Sequence, residues 1–513
     1  MKENSSTTIW IKAKTKELLD KAGSKGETYD DIINRLLSKS ITQIPVNVSN
    51  LKIYRQGVEA RPYFVSIPYV CALKRLGIKT SFAYYAGKKN YSYWSQDVTT
   101  KLAMEEIMKH VNDGSYIQKK ISEWEFIVEE QIAIEKKLTN LGKMSNEELI
   151  GTLRKIKAVI ESSWEIGIMI ELFDPDSEGI IMELLNKYDK NNISQKEFQM
   201  LCLPEILTYI QKELLSLYEI AEKKDYGQLD EHARRFFWIK NTWADTVVLD
   251  KNFFRAKIAR LEEEGINFRL ELEKIYENLN NLKKERKRIL ENKTCSVKIR
   301  RAVEFFEIMT LWRERRKKYA LISNHYLNLF AKEISKRSNV KHELLMYSYA
   351  DELELPMDET FVEELRKREK ICLQYVDEQG IHFVSGKVVE DFVEEIKGMT
   401  EQQVARLYGN VANPGKVEGI AKIIFITSDM IKMEKGDILV SPCTRPEYVP
   451  AMKKASAIIT DEGGITSHAA IVSRELGVPC IVGLRNATDV IKDGDLILVN
   501  ANHGIVQIMK RKG

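Results

Sequence analysis

The chain has 513 residues, 44% of them hydrophobic and 30% charged, with 79 basic against 75 acidic side chains. That balance fits a soluble globular chain with room for about three domains, and it excludes a polybasic nucleic-acid coat. No run approaches the roughly 18 apolar residues of a membrane span, and the start, MKENSSTTIWIKAK, lacks the apolar core of a secretion signal. Six scattered cysteines with no CxxC pair fit reduced thiols, not a disulfide frame or a zinc site, so a cytoplasmic protein without a metal site is expected.

In chain order, residues 7–12 alternate polar and apolar, as a half-buried strand does. A helix from about Thr15 stops at Gly23, and a second runs through Ile32, Ile33, Leu36 and Leu37. This strand-helix-helix unit, with its GETYDD turn, resembles the ribbon-helix-helix family. The resemblance implies a homodimer through residues 7–37 and a strand ribbon able to enter the DNA major groove. Dimerisation is the preferred reading of this 1–42 unit, because outward-facing Trp10 is a better packing residue than a base reader. Residues 43–100 read as a small mixed α/β segment, with strand-like runs in KIYRQ, PYFVSIPYVCAL and TSFAYYAG.

Residues 101–398 are expected to be helical. No glycine lies between Gly265 and Gly380 and no proline between Pro204 and Pro356, and these are the usual breakers. Ile206, Ile210, Leu214, Leu217 and Ile220 recur at helical spacing, and Ala256–Leu290 reads as a long, charged hairpin helix. The basic runs Lys283–Arg288 and Arg313–Lys318 read as solvated faces because acids are interleaved, with a phosphate or nucleotide contact as the alternative. Phe236, Phe237, Trp238 and Trp243 read as core, with a ligand pocket as the alternative. Residues 372–386 suggest two strands joined at Gln379–Gly380, followed by a short helix. A hinge is expected between Gly398 and Gly415.

Two motifs are decoys. GNVANPGKV (Gly409–Val417) has five residues between its glycines and lacks the Ser or Thr of a phosphate loop. DKNNISQKEF (Asp189–Phe198) puts Ile193 at a calcium loop's fifth position and lacks the glycine at its sixth.

The chemistry concentrates in residues 463–483, GGITSHAAIVSRELGVPCIVG. Gly463-Gly464 permits an unusual turn, Thr466 or Ser467 suits a helix N-cap, and Gly477 with Pro479 ends the helix. His468 then sits in a first turn, where backbone N–H groups favour an anion and disfavour imidazolium. A neutral imidazole there is a nucleophile with anion donors already in place.

The TSHAAI and RELGVPCIVG blocks closely resemble the phosphohistidine swivelling (mobile) domain of enzymes that use phosphoenolpyruvate, such as phosphoenolpyruvate synthase, pyruvate phosphate dikinase and rifampin phosphotransferase. GDILVSPCTRPEYVPAM, AIITDEGG and KDGDLILVNANHGIVQI extend the likeness over about residues 405–510. It implies a domain at 399–513 in which His468 carries the phosphoryl group. It also implies phosphate contacts from Gly463, Gly464, Thr466 and Ser467, and from Thr444 and Arg445 on a neighbouring loop. Arg474, six residues on, is expected to serve structure or docking. The fold expected is multidomain: a mainly helical N-terminal and middle region with a C-terminal α/β domain.

By the same resemblance such domains shuttle between an ATP-grasp site and an acceptor site. The glycine-poor middle offers no ATP-grasp flap, and the chain ends where some relatives continue into a pyruvate-binding barrel. A split phosphotransferase is therefore expected. ATP and magnesium would be held by a separate ATP-grasp subunit, and a small-molecule acceptor by residues 101–398. The alternative is a DNA-binding regulator that senses phosphorylation or a metabolite.

Overall fold

Two sheets frame a large helical body in the computed structural model, which describes residues 53–512 except 77–81, 137, 139, 174–176, 190–191, 204, 293–294, 378–379, 401–405 and 465–466. The ribbon-helix-helix unit, its dimer through residues 7–37 and its DNA contact lie outside the described residues, as does part of the expected hinge.

The first sheet is antiparallel throughout. Its strands are β1 (Ile53–Glu59), β2 (Phe82–Ala86), β3 (Lys89–Ser95), β4 (Cys372–Asp377) and β5 (Gly380–Ser385), in the order β1-β3-β2-β4-β5. Gly87, at φ 58, turns β2 into β3 through a two-residue loop. Phe82, Tyr84 and Leu373 pack on the helix Lys387–Thr400, while Ala83, Tyr85 and Cys372 face the helical body. The 372–385 hairpin thus completes a sheet begun at residue 53.

Pro62–Leu76 (α1) is a helix, not the strand its aromatic run suggests. Tyr63, Phe64, Val65, Ile67 and Cys71 are all buried, so α1 is apolar around much of its circumference. A short apolar run with no amphipathic period reads equally well as strand or helix. Pro62 at its first position requires no N–H there.

The helical body is built on a 42-residue helix, Val297–Ser338, which spans about 63 Å at 1.5 Å per residue. Around it lie α2 (Tyr116–Glu135), α3 (Asn146–Gly167), α4 (Tyr209–Lys223), α5 (Lys251–Glu263) and α6 (Phe268–Asn292), and the spine itself is α7. Ser296 Oγ accepts from Ile299 N at 3.2 Å and Asn339 closes the other end at φ 57. One half of α7 puts Phe305, Met309 and Trp312 into one core, and the other puts Leu327, Phe330 and Ile334 into a second. The expected 256–290 helix is interrupted at Gly265, φ +75, which separates α5 from α6.

The basic runs are not uniformly solvated. Arg286 is buried on Glu205 (3.1 Å) and Glu307 (2.9 Å), although Lys283, Lys284, Lys287 and Arg288 are exposed. Arg316 is buried against Trp164 and pairs with Glu171. A helix face that turns toward a neighbouring helix takes its cations with it. In the false calcium loop, Glu197 instead forms a capping box with Ser194.

The C-terminal α/β region contains β6 (Arg406–Tyr408), β7 (Asn410–Asn413), β8 (Lys416–Ile423), β9 (Ile438–Ser441), β10 (Ala457–Thr460), β11 (Cys480–Val482), β12 (Leu496–Asn500) and β13 (Ile505–Lys510). Their order is β6-β13-β12-β8-β9-β10-β11-β7, with β8, β9, β10 and β11 parallel. Ile438, Val440, Ile459 and Ile481 pack on one face, and Leu439, Ile458, Cys480 and Val482 on the other. Burial on both faces explains why these strands are continuous apolar runs. The false phosphate loop is the β6–β8 segment of this sheet.

Candidate functional site

The site lies where two neighbouring parallel strands end. In open α/β sheets the carboxyl ends of the strands are where ligands bind. The chain leaves β10 at Thr460, crosses residues 461–467 and enters α8 (His468–Leu476). Asp461 secures the crossing, since its carboxylate accepts from Thr488 N at 2.9 Å and its carbonyl from Arg485 N at 2.7 Å. Gly463 stands at φ +99, and a Cβ there would lie 2.8 Å from the Ser467 Cβ. Ser467 caps α8 by accepting from Ala470 N at 3.4 Å. Gly477, at φ 66, closes it, with Gly477 N bonded to Arg474 O (3.3 Å) and Val478 N to Ser473 O (2.9 Å). Ala469 and Ala470 are buried against the sheet, so the small residues after the histidine bring α8 close to its strands.

The loop after β9 approaches the same point. Ser441 Oγ bonds to Ile424 O (2.6 Å) and Cys443 O (2.7 Å), which folds the loop over the strand end. Thr444 Oγ1 then lies 2.8 Å from His468 Nδ1. With the proton on Nδ1 and donated to Thr444 Oγ1, Nε2 keeps a free lone pair. The ring is half-buried, and its pKa is lowered to about 4, chiefly by burial and secondarily by the positive charge of Lys317. The imidazole is therefore neutral at pH 7.

Of the other residues singled out in the sequence, Gly463, Gly464 and Ser467 shape the entry to α8, with Ser467 N donating to Gly464 O at 2.9 Å. Thr466 lies outside the described residues. Arg445 stacks on the Tyr448 ring at 5.5 Å and donates to its hydroxyl at 3.5 Å, while its Nε is buried with no partner. Arg474 donates to Ala412 O at 3.4 Å, tying α8 to β7 on the far side of the helix from the histidine.

Three elements distant in sequence meet these loops. Gly57 N in β1 donates to Glu462 Oε1 at 2.7 Å, and Cys443 Sγ lies 3.8 Å from Gly57 O. Glu59 Oε2 accepts from Thr427 N (3.3 Å) and Thr427 Oγ1 (3.1 Å). On the other side, the loop residues Arg445, Pro446 and Glu447 close a pocket whose body is Tyr209, Trp238, Trp243, Lys317 and Lys318, with about 610 Å³ of empty space including its mouth. Lys317 thus lines the pocket and also acts on the His468 ring. The pocket qualifies two expectations: Lys318 is partly buried in its wall while Lys317 stays exposed at its edge, and the aromatic cluster divides. Phe236 and Trp238 are buried as expected, but Trp238 also lines the cavity together with Trp243. Tyr209 carried no sequence signal beyond its place at the start of a helix.

Among the described residues, no three His, Cys, Asp or Glu side chains gather in a metal-ligating cluster. Nor is any helix among them long and apolar enough to cross a membrane.

The fold and the site thus place a histidine at the start of a capped helix, at a strand-end crevice of an eight-stranded α/β region. The C-terminal region carries the PEP-utilising enzyme mobile domain, matched over residues 433–504. It is 52% identical over 113 residues to a "Probable phosphoenolpyruvate synthase" of Archaeoglobus fulgidus, covering 22% of this chain and 15% of that protein. It is 43% identical over 134 residues to the phosphoenolpyruvate synthase of Pyrococcus furiosus, covering 25% and 16%. The match therefore spans about a sixth of these relatives' own length. Among solved structures, aconitase X of Thermococcus kodakaraensis aligns with 20% of this chain and 98% of its own at 21% identity, with a TM-score of only 0.16.

Proposed function

We propose that this chain is a phosphotransferase component in which His468 receives a phosphoryl group and passes it to a small-molecule acceptor. The observation that carries this reading is the neutral His468 ring at the start of α8, held through Nδ1 by Thr444 beside a cationic pocket. A separate ATP-grasp subunit, holding ATP and magnesium, is proposed to charge it.

In the first step His468 Nε2 attacks the donor's terminal phosphorus. An N–P bond forms, the donor's P–O bond breaks, and the leaving oxygen keeps the electron pair. In the second step an acceptor oxygen attacks the same phosphorus. The new O–P bond forms as the N–P bond breaks, and Nε2 regains its lone pair. Two transfers through a nucleophile replace one harder transfer. Gly463, Gly464 and Ser467 hold the α8 N-terminus so that its N–H groups face the anion. Arg445 and Lys317 add positive charge where the phosphoryl oxygens would lie. Movement of the carrier domain between two stations keeps the donor and acceptor sites apart.

The test is phosphate labelling. The full chain is mixed with labelled ATP and the protein encoded by its genomic neighbour, and separately with labelled phosphoenolpyruvate. An acid-labile, alkali-stable label on wild type that His468→Ala loses supports the proposal. No label, or equal label on both proteins, removes it.

A further inference from the structure

The pocket beside the His468 loops combines two features that select a ligand class. The first is flat apolar walls. Tyr209 and Trp238 meet edge to face at 5.6 Å, and Trp243, which also contacts Trp164 at 6.0 Å, continues the lining. Aromatic walls of this kind favour a planar body that stacks or meets them edge-on.

The second feature is a surplus of positive charge, with Lys317, Lys318 and Arg445 lining the pocket against Glu314 and Glu447. Lys318 Nζ lies 5.1 Å from the Tyr209 ring and 5.1 Å from the Tyr319 ring, and Lys212 Nζ lies 5.1 Å from the Tyr209 ring as well. Among the described residues, no carboxylate lies within ion-pair distance of Lys318. The charges acting on it are those of Arg235, Arg315 and Lys212, and together with burial they lower its pKa. Of the pocket's two acids, Glu314 accepts from Tyr209 N at 3.3 Å, and Glu447 acts on Arg445 on the loop side, which leaves Lys318 without an ion-pair partner among the described residues. The buried Nε of Arg445, without a partner, adds a further donor on the loop side. A small inorganic anion would satisfy the cations and leave the rings unused. A neutral aromatic compound would do the reverse.

We infer that this pocket binds a planar aromatic acid, its ring against Tyr209 and Trp238 and its anionic group on Lys318. The inference deepens the proposed function, since such a molecule would be the acceptor. It stands on binding alone, so it can fail without the phosphohistidine reading failing.

The experiment uses the full chain and reads tryptophan fluorescence and calorimetry. The probes are 4-hydroxybenzoate, phenylpyruvate and 2-naphthoate, with cyclohexanecarboxylate, benzyl alcohol and inorganic phosphate as comparisons. At least one aryl acid is expected to bind saturably and more tightly than all three comparisons. Lys318→Gln should weaken it about tenfold, the effect of losing one charge-assisted hydrogen bond. Lys283→Gln, an exposed cation elsewhere, should leave it unchanged, and His468→Ala should still bind. Saturable binding lost in Lys318→Gln but kept in His468→Ala supports the site even if no label reaches His468. The inference is overturned if no aryl acid outbinds cyclohexanecarboxylate, or if Lys318→Gln binds as wild type does. Circular dichroism of each variant separates loss of binding from loss of fold.

Discussion

At the scale of single residues, the His468 ring combines a hydrogen-bond partner, partial burial and a nearby cation. Burial, aided by Lys317, holds its pKa near about 4, so its lone pair is available throughout the neutral range. The acid limb of phosphoryl uptake due to this ring should therefore fall near pH 4 instead of near the usual histidine value, as a pH–rate profile would read. Lys317→Gln removes the smaller of the two causes, and proton NMR should find the ring's pKa moved upward. The same shift has a stability sign. Between the folded value and the usual value near 6.5, the unfolded chain binds more protons at this site, so stability falls as pH falls through that window. His468→Asn should shrink the difference in Tm between about pH 7.5 and pH 5. Thr444→Val removes one neutral hydrogen bond and the tautomer it selects, and should slow labelling about five- to tenfold with Tm changed little.

At the scale of elements, α8 depends on its two ends. Gly477→Ala places a side chain at φ 66 and should cost ~1 kcal/mol, seen in denaturant unfolding, with labelling retained. Gly463→Ala adds to a positive φ a Cβ 2.8 Å from that of Ser467. It should displace the start of α8 and reduce labelling more strongly than Gly477→Ala does. These ends were legible in the sequence, because caps and glycine turns act over three or four residues. Helix α1 was not, since a helix buried on several sides loses the polar face that gives its period away. The Arg313–Lys318 run misled for a related reason. Alternating charge describes a helix surface but not which neighbour covers it, and Arg316 and Lys318 face protein while Lys317 is exposed.

At the scale of the whole molecule, the C-terminal α/β region packs with His468 beside the helical body. Glu462 and Gly57, Glu59 and Thr427, and the Tyr91–Phe425 ring pair at 4.8 Å hold this arrangement. Gly57 has its place because a Cβ there would lie 2.8 Å from Pro442. If the domain must leave this station to be charged, a short thiol cross-linker between Glu59→Cys and Thr427→Cys should cut labelling by about tenfold or more, with uncross-linked double variant as the control. Labelling at the wild-type rate after complete cross-linking would mean that charging occurs in the docked state.

The sequence alone determined the local cassette: a glycine turn and a capped helix with histidine first. Those features follow from backbone conformations and hydrogen bonds between near neighbours. Only the tertiary structure decided which distant elements reach the histidine. Thr444, expected near the ring from the family resemblance, comes from the adjacent strand end, but Lys317 from the long helix and Gly57 from a sheet formed far earlier in the chain had no such signal. The pocket likewise draws Tyr209, Trp238, Lys318 and Arg445 from separate segments. Such a meeting depends on how buried faces pack and which charges remain unmatched, and these are long-range sums that no local spacing encodes.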